Sequence, residues 1–417
     1  MTDRENILGL LRRTGYERLM PHYNMVPDLN SRFQDYVKKT GYVLPDPAFE
    51  IVPDVPEEEP REDSFWLPFY DHDFKEGTTF SPFGVAWEPG SAACFHMKHM
   101  YHPLENAETR EELEAYPYPV YSNEPTREQL DSVAHIRSQG KFALGDMQCT
   151  VWETSWYIRG MEVMMMDMME DPELAEAVLD RVTETSVCRA EAYAKAGVDA
   201  IFLGDDIGMQ HSGMMSLELY RTFLKPRLKR VIDAARAIKP DIIVLYHSCG
   251  CATPYIEDLI EAGVDVLNPV QPESMDFEEV FKVYGDRLSF CGVLGTQTLM
   301  PFGTPEEVRE ATEMACEYLY LLSIWLPILY ILNNYRSALQ GLGSGFMPLL
   351  SGLVELVMRL GAVMILPAYI GYHGLFWAEI LAWAGGDAVL LPAYWAMLRR
   401  LRREMPVLQE MEDETVL

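Results

Sequence analysis

Positive charge is what this chain has least of: 34 Lys and Arg stand against 64 Asp and Glu in 417 residues, a formal net charge of −30. Recognition of a phosphate backbone needs clustered cations, so the composition excludes a nucleic-acid-binding surface, and the acidity reads as a solvating exterior. The opening MTDRENILGLLRRTGYERLM lacks a basic-then-apolar leader. Cysteine follows no disulfide framework: the seven thiols (Cys94, Cys149, Cys188, Cys249, Cys251, Cys291, Cys316) are odd in number and scattered. Free thiols in a reducing cytoplasm, some of them metal ligands, are therefore expected. No G-x-G-x-x-G follows any strand-like run, which argues against a dinucleotide site. What the chain does have is apolar content of 48%, ample for a sizeable core.

Charge of either sign is scarce in the last quarter, where residues 319–417 carry six arginines against eight acids. Uncharged runs cover Tyr318–Leu332, Ser337–Val354 and Leu360–Ala378, and only the third reaches the length of about 18 residues expected of a membrane span. The cluster Arg399-Arg400-Leu401-Arg402-Arg403 reads as a cytoplasmic flank, and Gly341 and Gly345 have the spacing that lets helices approach closely in lipid. The composition therefore predicts an acidic soluble piece over 1–318, an apolar helical piece over 319–403 and an acidic tail over 404–417.

Within the first piece the spacing predicts an amphipathic helix over residues 1–20, with Ile7, Leu10, Leu11 and Leu19 near helical period, then loop over 41–82 with a solvated acidic run from Asp54 to Asp63. Beyond residue 140, strand-like runs (FALGDM at 142–147, AIFLGDD at 200–206, IIVLYHSCG at 242–250, VDVLNPV at 264–270, LSFCGVLG at 288–295) alternate with helical patterns. Asp171-Pro172 reads as a helix start, and Gly197 and Gly263 as stops. The alternation implies a parallel α/β sheet with both faces covered, a β/α barrel in preference to a doubly wound sheet.

The sharpest chemical signal is His247-Ser248-Cys249-Gly250-Cys251 at a strand end. Residues i and i+2 of a strand face the same way, so His247 and Cys249 present an imidazole and a thiol to one point, as zinc would require. A third ligand must come from elsewhere, and Cys251 and Cys291 are the candidates. Asp205 and Asp206 end the preceding strand, with Gln210 and His211 beyond. Such carboxylates suit acid–base or substrate-holding work, with Asp205 and Asp206 as catalytic candidates and Asp146, Gln210 and His211 as substrate-binding ones. The methionines from Met164 to Met169 read as core or soft pocket lining.

The stretches GDDIGMQHSGMMSLELYRTFLKPRLKRVIDAARAI and YHSCGCATPYIEDLIEAGVDVLNPVQPESMDFEEVFKVYGDRLSFCGVLGTQTLMPFGTPEEVRE resemble the uroporphyrinogen decarboxylase superfamily, and within it the corrinoid and coenzyme M methyltransferase branch, over about 1–318. The resemblance implies a (β/α)8 barrel of TIM type. It further implies zinc held by His247 and Cys249, and methyl transfer between a corrinoid or methylated donor and a thiol, with a corrinoid protein as a partner. The decarboxylase branch, which acts on a tetrapyrrole without metal, is the alternative; its arginine-rich opening motif is not found here. The branch takes a third zinc ligand, a Cys, from the last barrel strand, and the resemblance stops before that strand; Cys316 sits in a different pattern. From about 320 to 403, YRSALQGLGSGFMPLLSGLVELVMRLGAVM and AEILAWAGGDAVLLPAYWAMLRRL resemble the last helices of a multidrug and toxic compound extrusion transporter, without that family's cation-site helices. The expectation is thus a cytoplasmic barrel lacking its last strand, followed by membrane-type helices. The competing expectation is a non-catalytic fusion.

Overall fold

The computed structural model describes residues 1–18, 20, 27–43, 47–90 and 98–404, so Leu19, Cys94 and most of the acidic tail lie outside the described residues. The chain divides into two compact units, Met1–Thr298 and Leu299–Leu417.

The first unit is built on a six-stranded sheet. Its strands are β1 (Glu50–Val52), β5 (Ala143–Asp146), β6 (Ala200–Gly204), β7 (Ile243–His247), β8 (Val266–Asn268) and β9 (Ser289–Phe290), paired in that order and all parallel. A smaller antiparallel sheet of β2 (Thr79–Phe80), β3 (Ala86–Glu88) and β4 (His99–Tyr101) interrupts the path from β1 to β5. The sequential order has no reversal point, which sets it apart from a doubly wound sheet. The expected barrel lacking its last strand is not formed by pairing: among the described residues six parallel strands pair, and β1 and β9 are sheet edges. After Thr298 the chain turns helical, at Leu299–Phe302 and Pro305–Gly341, and supplies no further strand.

Alternation along the strands divides the core in two, as period-two geometry demands. Leu144, Phe202, Leu245 and Val266 pack on one face with Ile7, Leu11, Phe49 and Phe142. Ala143, Ile201, Leu203, Val244, Tyr246 and Leu267 join the larger cluster formed with the surrounding helices. Asp146, His247 and Asn268 continue the first face at the C-terminal ends of their strands. At the opposite edge lies helix Asp3–Leu11, started by a capping box between Thr2 and Glu5. Its Arg4 bonds Asp199 ahead of β6 at 2.7 Å, Arg12 bonds the Asp241 carbonyl ahead of β7, and the Leu11 carbonyl accepts from Ser289 of β9. The predicted helix over 1–20 thus stops at Leu11.

Helix Pro172–Ala196 begins after Asp171 and ends at Gly197, and helix Ile256–Ala262 ends at Gly263; both glycines are left-handed, at φ +86° and +113°. The segment 41–82 was expected to be loop, yet it contributes β1, a strand too short to announce itself by alternation. Its acidic run is partly engaged rather than solvated: Asp54 pairs with Arg189. Met164 and Met168 are fully buried. In the antiparallel sheet, buried Glu88 accepts from Lys75 at 2.6 Å and contacts His72 Nε2 at 3.1 Å.

The second unit consists of helices Pro305–Gly341, Phe346–Ile365, Pro367–Ile370 and His373–Glu404. The expected boundary at 318 falls inside the first of these, which runs unbroken through it; the division of the chain lies at Thr298 instead. The uncharged run 360–378 is not one helix, because Pro367 starts a new turn and Gly371 at φ +60° ends it. Phe346–Ile370 and His373–Leu401 are long and apolar enough to cross a membrane by length and composition. Ion pairs link charges in these helices: Arg359 with Glu379 at 2.7 Å, and Arg336 with Glu355.

Two outcomes test the first unit. Asp199 is 1% exposed and accepts from Arg4, Arg137 and the Ala143 N–H. Asp199→Asn lowers the stability of the full chain by about 2–3 kcal/mol in urea unfolding, because a buried charge-assisted network loses its acceptor. Lys75 and His72 hold the Glu88 carboxyl down at about 2, from an ordinary value of 4.5. A depressed carboxyl stabilises the fold above its unfolded value and loses that contribution as pH falls through the folded value. The stability gap between the native chain and Glu88→Gln, followed by circular dichroism, is therefore full above pH 4.5 and closes toward pH 2.

Candidate functional site

β6, β7 and β8 end side by side, with Gly204 opposite His247 and His247 opposite Asn268. The polypeptide beyond each end supplies the chemistry. His247 is the last residue of β7, and Cys249 follows two residues later, before Gly250 turns the chain at φ +77°. Asp206 follows β6, and its Oδ1 accepts the Cys249 N–H at 2.6 Å, tying the two strand ends together.

Asp206, His247 and Cys249 form a group in which one ligand atom from each lies within 4.8 Å of the others. His247 Nε2 is 3.4 Å from Cys249 Sγ and 3.5 Å from Asp206 Oδ1. Nitrogen, sulfur and carboxylate oxygen are the donors zinc takes, and three protein ligands leave a position for a reactant, so the set fits a catalytic zinc centre. The paired expectation for His247 and Cys249 matches this geometry. The third member differs from both cysteines proposed for it. Beyond the turn at Gly250, Cys251 packs against the helix-side core, and Cys291 packs in the inner apolar cluster. Asp206, expected in catalysis, is the residue that lies beside His247 and Cys249.

Three residues around this group were not singled out by sequence. Asn268 Oδ1 lies 2.8 Å from His247 Nδ1, while its Nδ2 donates to the Cys291 carbonyl at 2.9 Å. The second bond fixes which way the amide points. Nδ1 must then carry the proton, which leaves the Nε2 lone pair facing Cys249 and Asp206. Glu153, in the first turn of helix Trp152–Arg159, accepts the Asp206 N–H at 3.1 Å and the Tyr157 hydroxyl at 2.8 Å. Its only sequence signal is an acid opening a helix just after a strand end. Tyr157 also contacts Cys149 Sγ at 3.7 Å, and Cys149 holds a left-handed backbone at φ +59°.

Asp205 takes a different position from its neighbour. It is 3% exposed and accepts the N–H groups of Val151 and Glu153, capping helix Trp152–Arg159. Burial, with Glu153 nearby, pushes its carboxyl up to about 8. Burial likewise pushes the Cys249 thiol up to about 12, with Asp206 and Glu153 adding to it, so the free side chain is a neutral thiol at pH 7. Asp146 ends β5 on the same face and accepts from Gln148. Gln210 is exposed and exchanges amide hydrogen bonds with Gln297 at 2.8 and 3.1 Å, and His211 is exposed beside it; neither belongs to the His247 group.

Comparison with known proteins places the chain among relatives. The profile of the uroporphyrinogen decarboxylase (URO-D) family matches residues 98–333, more than half of the chain. A methylated-thiol–coenzyme M methyltransferase of Methanosarcina mazei is 31% identical over 159 residues, 37% of this chain and 40% of that protein. A uroporphyrinogen decarboxylase of Chlorobium phaeovibrioides is 28% identical over 142 residues, 34% of this chain and 38% of that protein. The chain thus spans about two fifths of the length of these curated relatives. Among solved structures, a methyltransferase from Methanosarcina mazei superposes with a TM-score of 0.49 at 17% identity, over 76% of this chain and 90% of that one. The profile match passes through residue 318 and ends inside helix Pro305–Gly341.

Asn268 offers a direct test of how the group is held. Were zinc held by this group, Asn268→Ala is expected to weaken its binding about 10–100-fold, the usual penalty for removing the partner that orients a metal-bound histidine, and Asn268→Asp to restore most of it. Competition against a chromophoric chelator measures both.

Proposed function

The chain belongs to the uroporphyrinogen decarboxylase family, and from that premise we propose that it is an enzyme that moves a methyl group from a corrinoid or other methylated donor to a thiol at a zinc centre held by Asp206, His247 and Cys249. The single observation that carries this reading is the convergence of one nitrogen, one sulfur and one carboxylate donor at adjacent strand ends. Support also comes from similarity to the methylated-thiol–coenzyme M methyltransferase of Methanosarcina mazei.

Zinc bound here would act as a Lewis acid, lowering the pKa of a coordinated thiol so that a thiolate is present at neutral pH. The residues do the rest. Asn268 keeps the His247 lone pair directed at the centre, and the Cys249 backbone N–H holds Asp206 in place from one side. Glu153, hydrogen-bonded to Tyr157, fixes the Asp206 backbone from the other. Phe202, with its ring 6.2 Å from that of His247, presents apolar surface beside the imidazole. Asp205 keeps helix Trp152–Arg159, and with it Glu153 and Tyr157, at the rim. The apolar helices of the second unit would associate the enzyme with a membrane.

A second reading is decarboxylation of a tetrapyrrole, favoured by the relatives that carry the name uroporphyrinogen decarboxylase at 25–28% identity. The two readings separate on purified protein. Methyl transfer from methylcobalamin to 2-mercaptoethanol is expected to accompany about one zinc per chain by elemental analysis. Cys249→Ser and His247→Ala are each expected to lower both zinc content and transfer, the latter at least a hundredfold, as loss of a catalytic metal ligand does. Metal-free protein that decarboxylates uroporphyrinogen at full rate would overturn the proposal in favour of the second reading.

A further inference from the structure

The turn that carries Cys249 leaves the sheet with four successive backbone N–H groups, and each finds an acceptor on a neighbouring strand-end loop. Ser248 donates to the Asn268 carbonyl at 2.8 Å, Cys249 to Asp206 Oδ1 at 2.6 Å, Gly250 to Gln271 Oε1 at 2.7 Å and Cys251 to the Met209 carbonyl at 2.7 Å. The acceptors alternate between the β8 side and the β6 side, so pairing with both neighbours of β7 continues past its last residue. Two of the four are backbone carbonyls. Of the two side chains, Asp206 belongs to the candidate metal group, whereas Gln271 lies outside it.

Gln271 is 7% exposed and has both ends of its amide engaged. A backbone N–H can only donate, so the amide oxygen must face Gly250, and Nε2 then donates to Thr296 Oγ1 at 3.0 Å. Thr296 is itself steadied by its neighbour: the Gln297 N–H donates to Glu273 at 3.0 Å, and the Gln297 amide is bonded to that of Gln210. The loops after β6, β8 and β9 are thereby linked to one turn. Gly250 contributes no side chain of its own, because at φ +77° a Cβ there would lie 2.6 Å from the Met209 carbonyl oxygen. What holds the turn must come from outside it.

We infer, on the footing of the zinc-centred methyl-transfer reading, that Gln271 is a positioning residue for Cys249: by accepting the Gly250 N–H it fixes the backbone from which the thiol projects and so keeps the sulfur against His247 Nε2. That separation is 3.4 Å. Donor atoms of a site must be held to within about 0.5 Å by packing and outer hydrogen bonds, and an apolar residue at 271 leaves the Gly250 N–H with no acceptor. Gln271 touches neither metal nor reactant; it acts through the turn.

The test compares Gln271→Met, which keeps the side-chain length and removes both hydrogen bonds, with Gln129→Met, which removes another buried amide, one that bonds Thr126 and Pro53. Alkylation of Cys249 by iodoacetamide is followed on the full metal-free chain by peptide mass spectrometry. Gln271→Met is expected to speed it at least about fivefold, the order set by losing one buried hydrogen bond, while Gln129→Met leaves it at the native rate. Zinc affinity, by chelator competition, is expected to fall about 10–100-fold in Gln271→Met and to return in large part in Gln271→Glu, whose carboxylate still accepts from Gly250. Should Gln271→Met fold poorly, Thr296→Val, at an exposed position, removes the group that orients the amide and is expected to move both readouts the same way by a smaller factor. Native alkylation in Gln271→Met and Thr296→Val, or an equal rise in Gln129→Met, would overturn the inference. A native chain that binds no zinc would instead sink the methyl-transfer reading, and the alkylation rates would still decide whether Gln271 holds Cys249.

Discussion

A Cβ on Gly204 would lie 2.6 Å from both the Cβ and the carbonyl oxygen of His247, a separation that real Cβ atoms do not show. Close contact of β6 with β7 at this point is the constraint on which the site depends. It lets the two strand ends meet without an intervening side chain. Asp206 can then reach across to the Cys249 N–H, and the imidazole stands against both. A similar economy holds where Gly208 meets Cys249, Gly250 and Cys251, each approach too tight for a side chain. Backbone packing at the mouth sets the donors' positions before any metal or substrate is considered.

Parallel pairing explains why chemistry gathers at one end. Strands that all run the same way deliver their C-terminal residues to one edge, and period-two alternation selects which of these face inward. Asp146, His247 and Asn268 share that face, and the register sets His247 directly beside Asn268. The opposite edge is spent on structure, with helix Asp3–Leu11 bonding into residues that lead β6, β7 and β9. At that edge Asp199, Asp241 and Asp265 are ion-paired, whereas among the described residues Asp146, Asp205 and Asp206 at the other have no Lys or Arg partner.

The second unit obeys another logic. Its long helices are apolar on exposed faces, as at Leu349, Leu353, Leu356, Leu360 and Met364, while Glu379 and Asp387 are buried. Paired charges such as Arg359 with Glu379 reduce the cost of placing ions among apolar side chains. Family similarity reaches into the first of these helices, to residue 333, so the chemical texture of the sequence and the division into compact units mark different places.

Sequence alone determined the class and brought together two residues of the candidate site. Apolar runs at regular intervals identified β5 to β9, and two-residue spacing paired His247 with Cys249, because strand periodicity is a local property that needs no partner to be read. It could not supply β1, three residues long inside an apparent loop, nor could it say whether the sheet closes, since closure is a matter of hydrogen bonds between chain ends. Which residue lies beside His247 and Cys249 was likewise decided only by tertiary structure. Cys251 and Cys291 were the chemically obvious thiols, yet the turn at Gly250 and the inward packing of Cys291 leave them out, and the Cys249 N–H draws Asp206 in. Asn268 and Glu153 carry no motif at all; they matter because register and helix placement put an amide against Nδ1 and a carboxylate behind Asp206, contacts that exist only once distant segments are packed together.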